Sequence, residues 1–356
     1  MKQLKLLIVL LVISITMMRT SGCKKLANGP VNLSQAVVTT LAGPIIEGSS
    51  SGPDTIPSFN QPTGVAVDDA GNVYVADQGN NVIKMITPSG VVTTLAGTGQ
   101  AGSANGISTL ATFNQPNGVA VDAVGNVYVS DSRNDLIRII EHQAGYPGPQ
   151  FTLVNTLAAG VGYTTGIGVD TLNNSTTVYA SEGGLWFQIE DVSPSGLVTD
   201  VAGLVPGSNN GVGEGASFNQ PQGLAVDASG NVYVADAGNN LIRMIGPFAI
   251  VTTFAGYGGA GSNNGTGPLS AAFNNPTGVA VDKAGNVYVA DAGNNLIRKI
   301  STAGVVTWLA GNGQVGSANG LGYAATFNNP QGIAVDAEGN VYVADTGNNM
   351  IRKITQ

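Results

Sequence analysis

Residues 59–86 read "FNQPTGVAVDDAGNVYVADQGNNVIKMI", and nearly the same string starts again at Phe113, Phe218, Phe273 and Phe327. Pro221, Pro276 and Pro330 stand 55 and 54 residues apart, whereas Pro116 and Pro221 are separated by 105 residues, or two periods. Self-similarity at such a period marks a repeat architecture. The copy missing from the series lies at residues 166–189 in degenerate form, "GIGVDTLNNSTTVYASEGGLWFQI", which makes six copies.

Within a copy, "GVAVD" and "NVYVAD" are short runs rich in Val and Tyr. An Asp-x-x-Gly-Asn turn joins them, and Gly71 and Asn72 of the first copy take positive φ there at low cost, which predicts a hairpin. The "GNN" turn leads to a third strand, "VIKMI" or "LIRKI", and residues 91–97, "VVTTLAG", supply a fourth. The last copy stops at "IRKITQ" without a fourth strand, yet residues 37–43 spell the same "VVTTLAG". The expected fold is therefore all-β: a six-bladed β-propeller with four-stranded antiparallel blades, closed by an N-terminal strand that completes the last blade. Closure removes the free edges of an open array.

The consensus FNxPxGVAVDxxGNVYVADxGNNxIRKI is similar to the NHL repeat, and the similarity runs from about Val37 to Gln356. The resemblance implies a six-bladed propeller around a central channel. Members of that family include binding platforms, extracellular sensor domains and a minority of lyases, so the fold leaves function open.

The first 22 residues differ from the rest. Lys2 and Lys5 precede an apolar run from Leu6 to Met18, Arg19 closes it, and Ser21-Gly22 stands before Cys23. This reads as an export signal, too short for a comfortable membrane span. Cys23, the one cysteine of the chain, resembles the lipidated residue of a bacterial lipobox, although Thr20 stands where an aliphatic residue is usual. The expected organisation is a lipoprotein-type signal peptide at 1–22, a linker at 23–35 and the propeller at 36–356. The expected address is the bacterial cell envelope, lipid-anchored at the outer membrane or periplasmic face, or periplasmic or secreted if Cys23 is not lipidated.

Cleavage before Cys23 removes three of the 14 basic residues and none of the 22 acidic ones, so the net charge moves from −8 to −11. A nucleic-acid binder needs clustered Lys and Arg to displace counterions, and this acidity opposes it. The lone histidine, His142, cannot assemble a multi-histidine zinc site, which sets the chain apart from the propeller lyases.

Five second strands end in Asp and carry a base seven residues later: Asp77 and Lys84, Asp131 and Arg138, Asp236 and Arg243, Asp291 and Arg298, Asp345 and Arg352. Recurrence in five blades marks them as structural pairs facing each other across the hairpin. In the degenerate copy, spacing puts Ser181 and Gln188 in their place. The first-strand aspartates Asp68, Asp122, Asp170, Asp227, Asp282 and Asp336 are expected to accept backbone N–H bonds at the hairpin turn. No catalytic residue and no cofactor is assigned; Ca²⁺ is the one ion such a ring of carboxylates would suit.

Long Gly/Asn/Ser-rich loops such as "GYGGAGSNNGTGPLSAAFNNP" lead into the regular blades and are expected on the face of the "GNN" turns. With Asn80, Asn134, Asn239, Asn294 and Asn348 they offer a polar surface for protein, peptide or glycan partners. Blade three breaks the symmetry. Its lead-in is short, its first hairpin is long, and Trp186 and Phe187 take third-strand positions, so one should pack inside the blade. Tyr163, Glu182 and Trp186 are the candidate edge of a binding site. The expected function is a monomeric binding or assembly scaffold, with no nucleic-acid partner and membrane contact only through the lipid. The competing reading is a metal-dependent channel enzyme of lactonase or lyase type.

Overall fold

The computed structural model describes residues 36–43, 48, 50, 57–141, 152–170, 176–184 and 187–356. Cys23, His142 and Trp186, with the signal and linker segments, lie outside them.

Each regular blade follows the repeat. In blade one the strands Pro62–Val67, Val73–Asp77, Val82–Ile86 and Val92–Ala96 pair antiparallel in chain order. Val37–Ala42 closes the ring by pairing with Met350–Thr355 of blade six, Val38 opposite Ile354 and Thr40 opposite Arg352. It even carries the bulge before its last residue that the outer strand of blade one shows between Thr94 and Ala96.

Four blades gain a short fifth strand that the sequence reading lacked: Gly106–Ile107, Gly211–Val212, Gly265–Thr266 and Gly320–Leu321 pair onto the outer strands of blades two, four, five and six. These pairs belong to the lead-in loops, which do not stay on the turn face but drape between neighbouring outer strands. In blade two, Gly97 at the end of the preceding blade donates to Ser108 O, and Ser108 N–H donates to Thr152 O at the start of the blade's own outer strand. Blade three has no such loop and keeps four strands, Thr164–Asp170, Thr177–Glu182, Ile189–Val192 and Val198–Ala202.

The described core is six wedges, each filled by side chains of two adjacent blades. Phe59, Phe113, Phe218, Phe273 and Phe327 anchor five of them at 0% exposure. Val161 lies in the wedge between blades two and three, which holds no phenylalanine. At the axis the inner strands almost touch. A Cβ on Gly64, Gly166, Gly223, Gly278 or Gly332 would come within 2.2 to 2.7 Å of a carbonyl oxygen of the following blade, and only glycine permits that approach.

Candidate functional site

The repeated acid and base fasten each lead-in loop to its blade. In blade five, Asp291 Oδ1 accepts the Asn274 N–H at 2.8 Å, and Oδ2 accepts from Arg298 Nη1 and Asn294 Nδ2, both at 2.8 Å. Arg298 reaches on to Ala272 O at 2.9 Å and to Asn263 O and Asn264 Oδ1 at 3.0 Å, and its guanidinium lies 5.2 Å from the Phe273 ring. Asn294 Nδ2 also donates to Gly261 O at 2.7 Å. One planar fork thereby ties strand, turn and loop together, which a point charge does less completely. Burial pushes the Asp291 carboxyl up and the Arg298 guanidinium down; the partner charge opposes both shifts.

The ion pair recurs at 2.9 Å in Asp131–Arg138, 2.8 Å in Asp236–Arg243 and 2.7 Å in Asp345–Arg352, all side chains at 0% exposure. Blade one uses Lys84, 3.1 Å from Asp77 and equally buried, which takes Ser58 O at 2.6 Å. The asparagines beside these pairs are committed internally too. Nδ2 of Asn80, Asn134, Asn239 and Asn348 donates to the blade's own Asp and to Gly48, Gly102, Gly207 or Gly316 O.

Sequence reasoning missed the residue after them. Asn81, Asn240, Asn295 and Asn349 sit at φ of 52° to 55° and accept a backbone N–H of the next blade, from Gln115, Asn275, Asn329 and Gln61. The signal was present in the second Asn of "GNN", a residue type that tolerates the left-handed region.

Where the inner strands meet at the axis, a space of about 60 Å³ is ringed by Thr63, Asn117, Thr165, Gln222, Thr277 and Gln331 beside those five glycines and Gly118. Thr63 Oγ1 donates to Asn117 O at 2.8 Å and Thr165 Oγ1 to Pro221 O at 2.9 Å, stitching neighbouring inner strands. At the other end of the inner strands, Asp68 Oδ1 accepts the Ala70 and Asn72 N–H groups, and Oδ2 accepts from Asn72 Nδ2 and the Tyr74 hydroxyl. Asp122, Asp227, Asp282 and Asp336 do the same for their hairpins. Burial, with the Asp122 carboxylate behind it, pushes the Tyr128 hydroxyl up to about 12. Among the described residues no three carboxylate, imidazole or thiol groups converge as a metal set.

A pocket of about 610 Å³ opens between blades one and two at this hairpin end. Val67, Met85, Leu95, Val121 and Ile140 supply apolar lining, with Asp68, Asp69 and Asp122 among its polar residues. The counterparts of Met85 in blades five and six are Lys299 and Lys353, whose ammonium groups lie over Tyr288 and Tyr342 at 5.0 and 5.2 Å. No repeat-level signal announced this pocket: the column of Met85 is also apolar in blades two and four, at Ile139 and Met244.

Blade three corrects the sequence alignment. Ile167 pairs with Ala180 as Val65 pairs with Val75, so Ser181 corresponds to Ala76 and Glu182 to Asp77. Likewise Glu190 faces Asp200 as Lys84 faces Thr94. The acid–base pair is therefore replaced by two glutamates, Glu182 and Glu190, rather than by Ser181 and Gln188. Phe187 precedes the third strand at φ 51° and does not enter it.

Glu182 is 4% exposed and lies under the short lead-in: a Cβ on Gly162 would meet its Oε1. A Cβ on Gly184 would lie 3.1 Å from Tyr163 Cβ and 3.8 Å from Glu182 Oε1, so two of the three candidate edge residues come together there. Gln188 Nε2 donates to Glu190 Oε1 at 2.8 Å and to Asp200 Oδ1 at 3.1 Å, while Glu190 Oε2 is buried without a hydrogen-bond partner. Burial pushes the Glu190 carboxyl up, and Asp200 adds to it.

Six radially arranged antiparallel sheets closed by a strand from the opposite end of the chain define a six-bladed β-propeller. NHL repeats match residues 59–84, 113–140, 218–243, 273–300 and 327–354. The chain is an NHL-repeat protein.

It is 27% identical over 349 residues to NHL repeat-containing protein 2 of Gallus gallus, covering 82% of this chain and 46% of that one. The chain spans less than half the length of the first curated relatives it matches. Among solved structures it is similar to an auxiliary nutrient binding protein from Bacteroides thetaiotaomicron VPI-5482, with a TM-score of 0.69, 18% identity and coverage of 90% of this chain and 76% of that one. A virginiamycin B lyase from Staphylococcus aureus, a catalytically inactive form with quinupristin, shares the fold at a TM-score of 0.56 and 16% identity, over 90% and 99% of the two chains. At such identities the likeness concerns the fold alone.

Proposed function

We propose that this chain is an exported binding module, held at the cell envelope through Cys23, that binds protein, peptide or glycan partners on the loops carried by its wheel. One observation carries the reading. The residues that resemble chemistry in the sequence, five acid–base pairs and the asparagines beside them, fasten loops to blades, and the outcome is a stiff frame presenting wide Gly-rich loops to solvent. Recognition concentrates on loops positioned by a rigid scaffold. The binding role named for the Bacteroides neighbour agrees with this at the level of the fold.

The mature protein applied to peptide and glycan arrays, with and without EDTA and beside a lactone-hydrolysis assay, tests the reading. Binding that persists in EDTA is the expected result. Lactone turnover that stops with EDTA would replace the scaffold with a channel enzyme. For the address, Cys23→Ser is expected to move the protein from the membrane fraction to the soluble one and to abolish incorporation of a fatty-acid analogue.

A further inference from the structure

The short lead-in of blade three leaves its outer strand, Val198–Ala202, without a partner on the outer side among the described residues. In blades two, four, five and six a two-residue strand pairs at this place, for example Gly211 and Val212 opposite Val251 and Ile250. By register, Val198 corresponds to Val251: Val192 faces Val198 as Ile245 faces Val251. The equivalent valines Val38, Val154, Val251 and Val306 are at most 1% exposed, whereas Val198 is partly exposed and Leu197 before it is 65% exposed. Thr199 and Asp200 are exposed as well.

An edge strand with open N–H and C=O groups is a template for another strand. The strand keeps two of the devices that blunt such an edge, a bulge before Ala202 and the charge of Asp200, and lacks others. Val198–Ala202 contains no proline and no lysine, and the fifth strand that covers four other edges is missing among the described residues. Its charge is of one sign: Asp200 on the strand and Asp191 on the neighbouring one, where Thr199 Oγ1 donates to Asp191 Oδ1.

We propose that this edge accepts an extended, basic segment of a partner protein by strand addition, in the position that lead-in loops fill on four other blades. Backbone bonds would supply affinity, and a Lys or Arg opposite Asp200, with a second next to it in sequence on the face that Thr199 shares with Asp191, would supply choice of partner. A β-branched residue two positions from the first, on the face that Val198 shares with Asp200, would cover Val198. A second copy of this chain is a poor occupant, because edge-to-edge pairing would set Asp200 of one copy near its equivalent on an already acidic molecule. The inference rests on the reading of the chain as a binding module and names the chemistry of one partner.

A displayed library of random ten-residue peptides, panned on the mature protein, tests it. Selected peptides are expected to carry a β-branched residue two positions from one of a neighbouring pair of Lys or Arg residues and to contain no central proline. Binding of the best one should slow amide exchange across Val198–Val201 at least tenfold. It should weaken at least tenfold when every second peptide amide is N-methylated, or in the Asp200→Lys variant, whose melting temperature is measured alongside. A panning without basic peptides of this pattern overturns the proposal, and so does slowed exchange confined to the Gly-rich loops, although that second result leaves the binding reading intact. Exchange at Val198–Val201 that slows with protein concentration alone would assign the edge to a second copy and overturn it as well.

Discussion

Blades five and three are built on the same ladder of four strands, yet one is held by a buried fastener and the other by almost none of its parts. Blade five joins Asp291, Arg298, Asn294 and Phe273 to a long loop, and that loop returns a fifth strand to the outer edge. Blade three has neither the loop nor the phenylalanine, and Glu190 stands where the arginine would. The departures belong together: the arginine's backbone and amide acceptors lie on the long loop, so without that loop a buried cation at this position would lack them.

The difference can be broken most severely at Arg298. Arg298→Met leaves Asp291 buried without its counter-charge, and a loss of about 3–5 kcal/mol is expected in denaturant unfolding. Adding Asp291→Asn should recover part of it, since two neutral groups cost less than one stranded charge. A double variant no more stable than Arg298→Met would show that loop bonds, not charge, carry the effect.

Asn240→Ala removes the acceptor for the Asn275 N–H and puts alanine at φ 55°, so a loss of roughly 1–2 kcal/mol is expected in the same unfolding measurement. In blade three Phe187 holds the same left-handed place at φ 51°, its carbonyl against Gly203 as that of Asn240 is against Gly256, without an amide side chain to reach the next blade.

The smallest effect has the opposite sign. Burial raises the Glu190 carboxyl above its ordinary 4.5 in the folded chain, so the fold favours the neutral form. That contribution is complete below about 4.5 and is lost as pH rises through the raised value, leaving an ionised, half-satisfied carboxylate at pH 8. Glu190→Gln is therefore expected to stabilise the protein by about 1 kcal/mol at pH 8, with the gain vanishing near pH 4. Melting curves across that range decide it; an equal gain at both ends would remove ionisation from the explanation.

The wheel and its closure were legible because a 54-residue period and a transplanted "VVTTLAG" require nothing beyond the string itself. The fifth strands were not, since two residues such as Gly106 and Ile107 carry no alternation to read. The frame shift at blade three, Glu182 and Glu190 in place of Ser181 and Gln188, arose from counting along the chain where the turn between the strands had changed. At Glu182 the string already reveals it, since residues 178–182, VYASE, set under residues 73–77, VYVAD, put Glu182 beneath Asp77; at Glu190 only pairing across the sheet does. Asn80 and its equivalents read as a polar surface because their acceptors, such as Gly48 O, lie 32 residues away.

The closing strand has a consequence for biosynthesis. Thr39 Oγ1 donates to Lys353 O across 314 residues of chain, so the first strand made is the last to find its place. At ordinary rates of synthesis, about 5–20 residues per second, Val37–Ala42 waits on the order of 15 to 60 seconds for blade six to exist. Throughout that interval it is a short apolar strand with both edges open, the kind of segment that binds whatever strand it meets. If the chain is exported unfolded, as its first 22 residues suggest, that wait extends across the membrane, and the ring can shut only on the far side.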